Sequence, residues 1–329
     1  MYKLLNRGDF IDSDELKKTM DKYRNKYGFD AYELIKFTNS DMKELKDYFK
    51  GYHLRFFPSW MEFYKEDFDL LYTELKDKKY FKFLCGGENS KKELIYYLKT
   101  ELEIAKNLEV EYVVFHACNI KIIESLTYVF NYSDMEVLEN VVKLINEVFE
   151  DGDYNFKLLL ENLWWPGLRL TNKEEIEYLL QNINYKNIGF ILDTGHMVNN
   201  NIEIKNSKEA IDYIRKNLEN IGEYKKYILG IHLNYSLSGS YVKETIEKNR
   251  KRNLDIHKCI ENIYEHINCI DYHDPFEDEE IVEIIESLPI EYLVYEFIGF
   301  KERELEDKIE RQDKILKDFF KRKKKAVAN

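Results

Sequence analysis

Residues 187–196 read NIGFILDTGH. The run from Ile188 to Leu192 is apolar on both faces, as a strand enclosed within a parallel sheet must be. It then stops on two ionisable side chains, Asp193 and His196. An acid and an imidazole at a buried strand end need partners. The same ten residues therefore point to a parallel α/β fold and to chemistry at the carboxyl ends of its strands.

Working outward, similar short runs recur: AYELIKF (31–37), YVVFHA (112–117), FKLLLEN (156–162), YILGIHL (227–233) and EYLVYEF (291–297). A weaker one lies around GYHLRFF (51–57) and the first falls within YKLLNRGDF (2–10), which makes eight. The stretches between them carry helix-start pairs: Asp12 with Glu15, Ser90 with Glu93, Ser133 with Glu136, Thr171 with Glu174 and Asn206 with Glu209. After the first pair the helical pattern runs to Gly28, where a left-handed cap suits glycine. Leu94, Leu98, Leu102 and Ala105 form one apolar stripe, and Leu305, Ile309, Leu316 and Phe320 another. Strict alternation of strand and helix predicts parallel pairing with right-handed crossovers, and eight units close into an α/β (β/α)8 barrel. An open doubly wound sheet would carry a glycine-rich phosphate loop after its first strand; neither such motif occurs.

The 329 residues, 44% of them hydrophobic, suit one large barrel, and no Ser/Gly linker divides them. A net charge of −12 offers no broad basic footprint for nucleic acid. No apolar run is long enough for a membrane span and the N-terminus lacks a signal-peptide core, so a cytoplasmic protein with no membrane partner is expected. Cys85, Cys118, Cys259 and Cys269 show no C-x-x-C pairing and read as reduced thiols. KRKKK at 321–325 reads as part of a solvated basic tail spanning 321–329.

A barrel gathers its active site at the strands' carboxyl ends. His116, Glu161, Asp193, His232 and Glu296 each fall at or near such an end. Singly, each is as well read as a helix cap or a hydrogen-bonded core residue. Together, several carboxylates buried side by side call for a cation. Imidazoles mixed with carboxylates suit Zn, Mn or Fe better than Mg or Ca. His257 and His266 lie in helical pattern and receive no role.

The motifs LLLEN, LDTGH and IHLN, in that order, resemble the xylose isomerase-like TIM barrels, and within them the apurinic endonuclease family 2 typified by endonuclease IV. The resemblance runs from GFDAYEL (28–34) to YEF (295–297). It implies three zinc ions held by nine side chains: His53 and His116 on one, with Glu161 bridging to a second held also by Asp193, His232 and Glu296. The third would rest on His196, Asp271 and His273, the last two from DYHDPF. There are departures. After its third-strand histidine this chain reads HLRFFPSW where the family has a small residue, Pro and Tyr. It reads Asn234-Tyr235-Ser236 where the family has Asn-Asp-Ser, and 236–268 is an insertion by comparison.

The resemblance implies a phosphoester hydrolase in which metal-bound hydroxide attacks a phosphate, with abasic DNA or a small phosphorylated molecule as substrate. The alternative is a metal-dependent sugar or sugar-phosphate isomerase or epimerase, in which Glu161 and Glu296 form an acid/base pair on opposite sides of one carbon. Trp164 and Trp165 would follow a strand at the mouth, where they either stack on a sugar or base or pack as a lid. Arg55 or Arg169 would suit a phosphate clamp, and Asn234 is a candidate substrate-binding residue. Cys118 shares the strand parity of His116, and a buried inert thiol is the simpler reading.

Overall fold

The computed structural model describes residues 1–299 and 301–328. Eight parallel strands close into a barrel in sequence order: β1 (Tyr2–Gly8), β2 (Ala31–Ile35), β3 (Phe49–His53), β4 (Tyr112–His116), β5 (Lys157–Glu161), β6 (Ile188–Asp193), β7 (Ile228–Leu233) and β8 (Tyr292–Tyr295). All eight expected strands are present. Closure is made by β1 against β8, with Leu4 opposite Val294.

Side chains alternate along each strand, so one parity fills the barrel and the other packs under the helices. Leu4, Ala31, Tyr112, Val114, Leu159, Ile191, Tyr292 and Val294 form the inner cluster. The opposite parity, including Leu158, Leu160, Phe190 and Leu192, joins the larger core between strands and helices. The Tyr112 ring crosses the interior toward β3, where a Cβ on Gly51 would stand 2.3 Å from it.

Helix starts follow the caps read from sequence at Asp12, Ser90, Ser133 and Asn206. Ser133 and Glu136 make the reciprocal box. One start is displaced by a residue. Asn172, not Thr171, caps the helix Lys173–Asn182, accepting from the Glu175 amide at 3.0 Å. That register turns Ile176 and Leu179 into the core. Gly28 ends the helix Ser13–Tyr27 at φ 68°, in the left-handed region.

The inserted segment forms three helices, Gly239–Asn249, Ile256–Glu261 and Ile263–Ile270. The first two pack on the helix Ile122–Thr127. Both helical histidines pin this segment: Tyr80 Oη lies 2.9 Å from His257 Nδ1, and His266 Nε2 lies 3.1 Å from the Ser125 carbonyl. The 321–329 tail belongs to the helix Lys317–Ala328, and Asn329 lies outside the described residues. Among the described residues no helix is long and apolar enough to cross a membrane.

Candidate metal centre

Parity delivers the site. Counting two residues up from an inner position on each strand gives His53 above Gly51, His116 above Val114, Glu161 above Leu159, Asp193 above Ile191, His232 above Gly230 and Glu296 above Val294. Register sets them side by side: His116 pairs with Glu161, and Asp193 with His232. The remaining three come from loops and a helix turn. His196 lies in the first turn after β6, and Asp271 and His273 lie in the loop after the inserted helices.

All nine side chains proposed as ligands meet at this rim. Glu161 is central and fully buried. Its Oε2 lies 3.0 Å from His53 Nε2 and 2.8 Å from His116 Nε2. Its Oε1 lies 2.9 Å from His232 Nδ1 and 3.4 Å from His196 Nδ1. Glu296 Oε2 is 3.1 Å from His232 Nδ1. Asp271 Oδ2 takes His196 Nε2 at 3.1 Å and His273 Nε2 at 2.7 Å. Three groups have donor atoms all within 4.8 Å of one another: His53, Glu161 and His232; Glu161, Asp193, His232 and Glu296; and His196, Asp271 and His273.

The imidazoles of His53, His273 and His232 are aimed by their far nitrogens. His53 Nδ1 is hydrogen-bonded to the Leu54 carbonyl at 2.9 Å, and His273 Nδ1 to the Glu296 carbonyl at 2.8 Å. A carbonyl fixes the proton on Nδ1 and leaves the Nε2 lone pair facing the cluster, as metal ligation requires. His232 is turned the other way. Its Nδ1 faces Glu161 and Glu296, while Nε2 meets Glu33 Oε2 at 3.1 Å. Glu33, inside β2 and fully buried, also accepts from Tyr112 Oη at 2.8 Å and Asn6 Nδ2 at 3.1 Å. It is missing from the sequence candidates because it lies two residues before its strand ends; parity from Ala31 would have found it.

Asp193 is framed from two sides. Its Oδ1 accepts the His196 amide at 2.6 Å, and its Oδ2 accepts Asn234 Nδ2 at 2.6 Å. A Cβ on Gly195 would stand 1.8 Å from Asn234 Oδ1, so only glycine admits that side chain. Ser236 holds the loop of the outer trio: the Tyr272 and His273 amides donate to its Oγ at 3.1 and 3.2 Å. His273 takes φ 50°, a left-handed conformation uncommon for a non-glycine residue.

The electrostatics of the cluster are compatible with bound cations. Burial works against charge on every member. Even so, hydrogen bonding from Glu161 and nearby carboxylates lifts His53 to about 9, and Asp271 does the same for His273. His196 and His232 are raised too, against burial, by the acids around them. Burial, with Glu296, Glu161 and Asp271 close by, pushes Asp193 up despite His196. Histidine charges hold Glu161, Asp271 and Glu296 down against the same burial. At His116 burial outweighs the pull of Glu161 and makes the ring harder to protonate. The cluster thus draws protons onto imidazoles to balance its acids, and divalent cations would take their place. Among the described residues, buried Asn234 Oδ1 and His116 Nδ1 have no hydrogen-bond partner. Five imidazoles with four carboxylates form a borderline donor set that fits zinc, manganese or iron.

The other candidates fall around the rim. Trp164 and Trp165 are buried with ring centroids 4.4 Å apart, and Trp164 lies 5.0 Å from the His196 ring. Arg55 lies beyond Phe56, whose ring is 4.9 Å from that of His116. Arg169 is engaged structurally, with Asp134 at 3.0 Å and Asn200 Oδ1 at 3.1 Å. Cys118 is buried, which pushes its thiol well up.

The family model described as xylose isomerase-like TIM barrel matches residues 22–288. Matching solved structures include a D-tagatose 3-epimerase-like protein, 19% identical with TM-score 0.52 over 99% of this chain and 100% of that one. Endonuclease IV from Thermus thermophilus matches at 13% identity and TM-score 0.51, over 97% and 100%. The IOLI protein with a binding zinc atom matches at 16% and 0.52, over 97% of each chain. No curated protein sequence matches. At such identities the solved structures show a shared fold, and their names include both an endonuclease and an epimerase-like protein. With its closed eight-stranded barrel and the match over 22–288, the chain belongs to the xylose isomerase-like TIM barrel family.

Proposed function

We propose that this chain is a divalent-metal-dependent phosphoester hydrolase, holding up to three zinc ions and acting on a small phosphorylated substrate. One observation carries the reading: the acid and imidazole donors extend well beyond the quartet that a single metal needs. His196, Asp271 and His273 form a second complete group, and His53 with His116 flank the far oxygen of Glu161.

When bound, the metals would offset the negative charge of a phosphoester and lower the pKa of a coordinated water from about 16 toward 7. The chain's own residues set the geometry. Glu161 presents its two oxygens to different imidazoles, which suits a bridge between adjacent cations. Asn234 and the His196 amide hold Asp193 in one orientation. The buried tryptophans beside His196 screen the rim from bulk water, which strengthens charge interactions there. Such a covered rim, with the net charge of −12, favours a small substrate over abasic DNA.

A second reading, sugar or sugar-phosphate isomerase or epimerase, is favoured by the quartet Glu161, Asp193, His232 and Glu296, whose donor atoms form one complete group. In it Glu161 and Glu296 would move a proton between them. Metal content and turnover separate the two. The hydrolase reading expects about three zinc per chain with hydrolysis of bis(4-nitrophenyl) phosphate. One exchangeable manganese, with ketose epimerisation and no phosphodiester hydrolysis, would overturn it in favour of the second.

A further inference from the structure

The mouth of the barrel is covered unevenly. Above β5, Leu163, Trp164 and Trp165 are buried. Above β1 and β2 the inward-facing series runs on past the strand ends, from Leu4, Asn6 and Gly8 to Phe10 and from Ala31, Glu33 and Ile35 to Phe37. Both aromatics are left in water, Phe10 at 71% exposure and Phe37 at 46%. The other strongly exposed aromatic residues among those described, Tyr2, Tyr72, Tyr96 and Tyr264, lie on helices or at the amino end of β1. The two phenylalanine rings stack on each other with centroids 4.2 Å apart, 20° from parallel. They lie over the interior: the point where a Gly8 side chain would begin is 2.6 Å from the Phe10 ring and 3.1 Å from that of Phe37. Asn6, Gly8 and Ile35 are only partly buried, so this side of the mouth is open to solvent.

A buried acid fixes the pair. Asp9, the residue before Phe10, accepts the Phe37 amide at 2.6 Å, the Thr38 amide at 3.1 Å and Thr38 Oγ1 at 2.7 Å, and it pairs with Lys36 Nζ at 3.2 Å. Lys36 Nζ also donates to the Thr38 and Ser40 carbonyls, and Thr38 Oγ1 lies 2.8 Å from Ser40 Oγ. These polar groups are thus spent within the two loops, and what faces outward is a flat apolar surface in a fixed place. Register sets it beside the metal centre. Gly8 pairs with Ile35, and Ile35 with His53. At a strand spacing of about 4.8 Å, Gly8 is roughly 10 Å from His53. One layer below Gly8, Asn6 donates to Glu33, which holds His232. A phosphate at the centre and a flat group on the pair are therefore one nucleoside apart. A nucleobase suits such a surface, because its π face stacks on an aromatic ring whichever base it is, while its polar edge stays hydrated. A sugar ring would need partners for its hydroxyls, which the spent groups of these loops do not offer.

We infer that Phe10 and Phe37 form a stacking platform for a nucleobase, and that the substrate is a nucleotide whose phosphate is held at the metal centre. The phosphate half rests on the hydrolase reading and the base half on the aromatic pair, and each is tested apart. Zinc-loaded full-length protein is titrated with adenosine and thymidine, which carry no phosphoester, and with ribose and inorganic phosphate, following saturation transfer to ligand protons by NMR. Phe10→Ala, Phe37→Ala and the double variant are run beside it, with melting curves to confirm folding. Both nucleosides should bind through their base protons, about tenfold or more tighter than ribose. The double variant should weaken them about tenfold or more and leave inorganic phosphate within about twofold. Nucleosides that fail to bind, bind no tighter than ribose, or are held equally by the double variant overturn the platform. A parallel loss of inorganic phosphate would mark a structural role and overturn it too. Thymidine 5′-(4-nitrophenyl phosphate) should then show a KM about tenfold or more below that of methyl 4-nitrophenyl phosphate, a gap the double variant abolishes with kcat retained. Equal KM values would overturn the assignment of the base to the substrate. Nucleoside binding that depends on the pair, with neither ester hydrolysed, would uphold the platform and sink the hydrolase reading.

Discussion

Replacing Glu33 by Gln tests how the barrel interior governs the rim. The change keeps shape and volume and removes only charge. Glu33 Oε2 receives both His232 Nε2, at 3.1 Å, and Tyr112 Oη, at 2.8 Å, while Oε1 receives Asn6 Nδ2 at 3.1 Å. Every donor points at an acceptor. A glutamine amide supplies one oxygen and one NH2, so one donor must face another donor or turn away. The bond to His232 also falls from charge-assisted to neutral, a loss of about 1–2 kcal/mol between full burial on both sides.

Because Nε2 of His232 is anchored there, Nδ1 on the same ring is the atom left for a metal shared with Glu161 and Glu296. The loss should therefore appear as metal affinity weakened about 10- to 100-fold. The assay is zinc and manganese competition against a chelator of graded affinity, with metal content read by mass spectrometry and folding checked by melting of the metal-free form. The expected variant melts cooperatively and releases one metal at chelator concentrations where the parent holds it. A folded Glu33→Gln protein that keeps every metal within about twofold of the parent affinity would refute the reasoning.

Other outcomes follow from the same geometry. Glu161→Gln should lose activity by about a thousandfold or more, and His273→Ala only about ten- to a hundredfold, because the first touches both ends of the cluster and the second only its outer trio; steady-state kinetics of the two variants would show equal losses if the bridging role is wrong. Gly195→Ala should expel Asn234 from Asp193, since the new Cβ would stand 1.8 Å from Asn234 Oδ1, and cost about 1–3 kcal/mol with loss of metal, seen by denaturant melts and metal analysis; retention of both would contradict it. Burial lifts Glu101 from 4.5 to about 7, despite the Arg55 amide that donates to it. The folded form thus holds a proton that the unfolded chain releases between about pH 4.5 and 7, so this group's contribution to stability falls as pH rises through that window, by about 3 kcal/mol in total, and is level above it. Chemical denaturation across pH should show that slope reduced in Glu101→Gln.

What sequence disclosed, and what it hid, divides along the line between strands and loops. A strand buried on both faces has to be a continuous apolar run, so NIGFILD and five counterparts could be read directly, while the first and third strands, broken by Asn6, Arg7 and Lys50, were weaker; strict alternation then left little choice but a closed barrel. Period-two parity next fixes which side chain stands at the top of the interior, and this is why Asp193, Glu161, His232 and Glu296 share one layer. Glu33 obeys the same parity one layer down but escapes a search confined to strand ends. The cap at Asn172 falls one residue beyond the expected Thr171 because both side chains are competent, and core burial of Ile176 and Leu179 decides between them.

Loops carry no such period. Asp271 and His273 are legible through family likeness alone, and their approach to His196 depends on Ser236 and on a left-handed backbone that no local pattern announces. A cavity of about 170 Å³ lined by Phe56 and Trp165 is less legible still. The amphipathic pattern of Ile263, Ile267 and Ile270 tells that this helix buries a face, but not that a cavity is left between it and the segments after β3 and β4. Strand parity therefore sets the inner quartet, while loop placement would set how many metals and which substrate the rim takes. The choice between hydrolase and epimerase accordingly rests on the His196, Asp271 and His273 trio and the helices around it, since the quartet in the barrel would serve either chemistry.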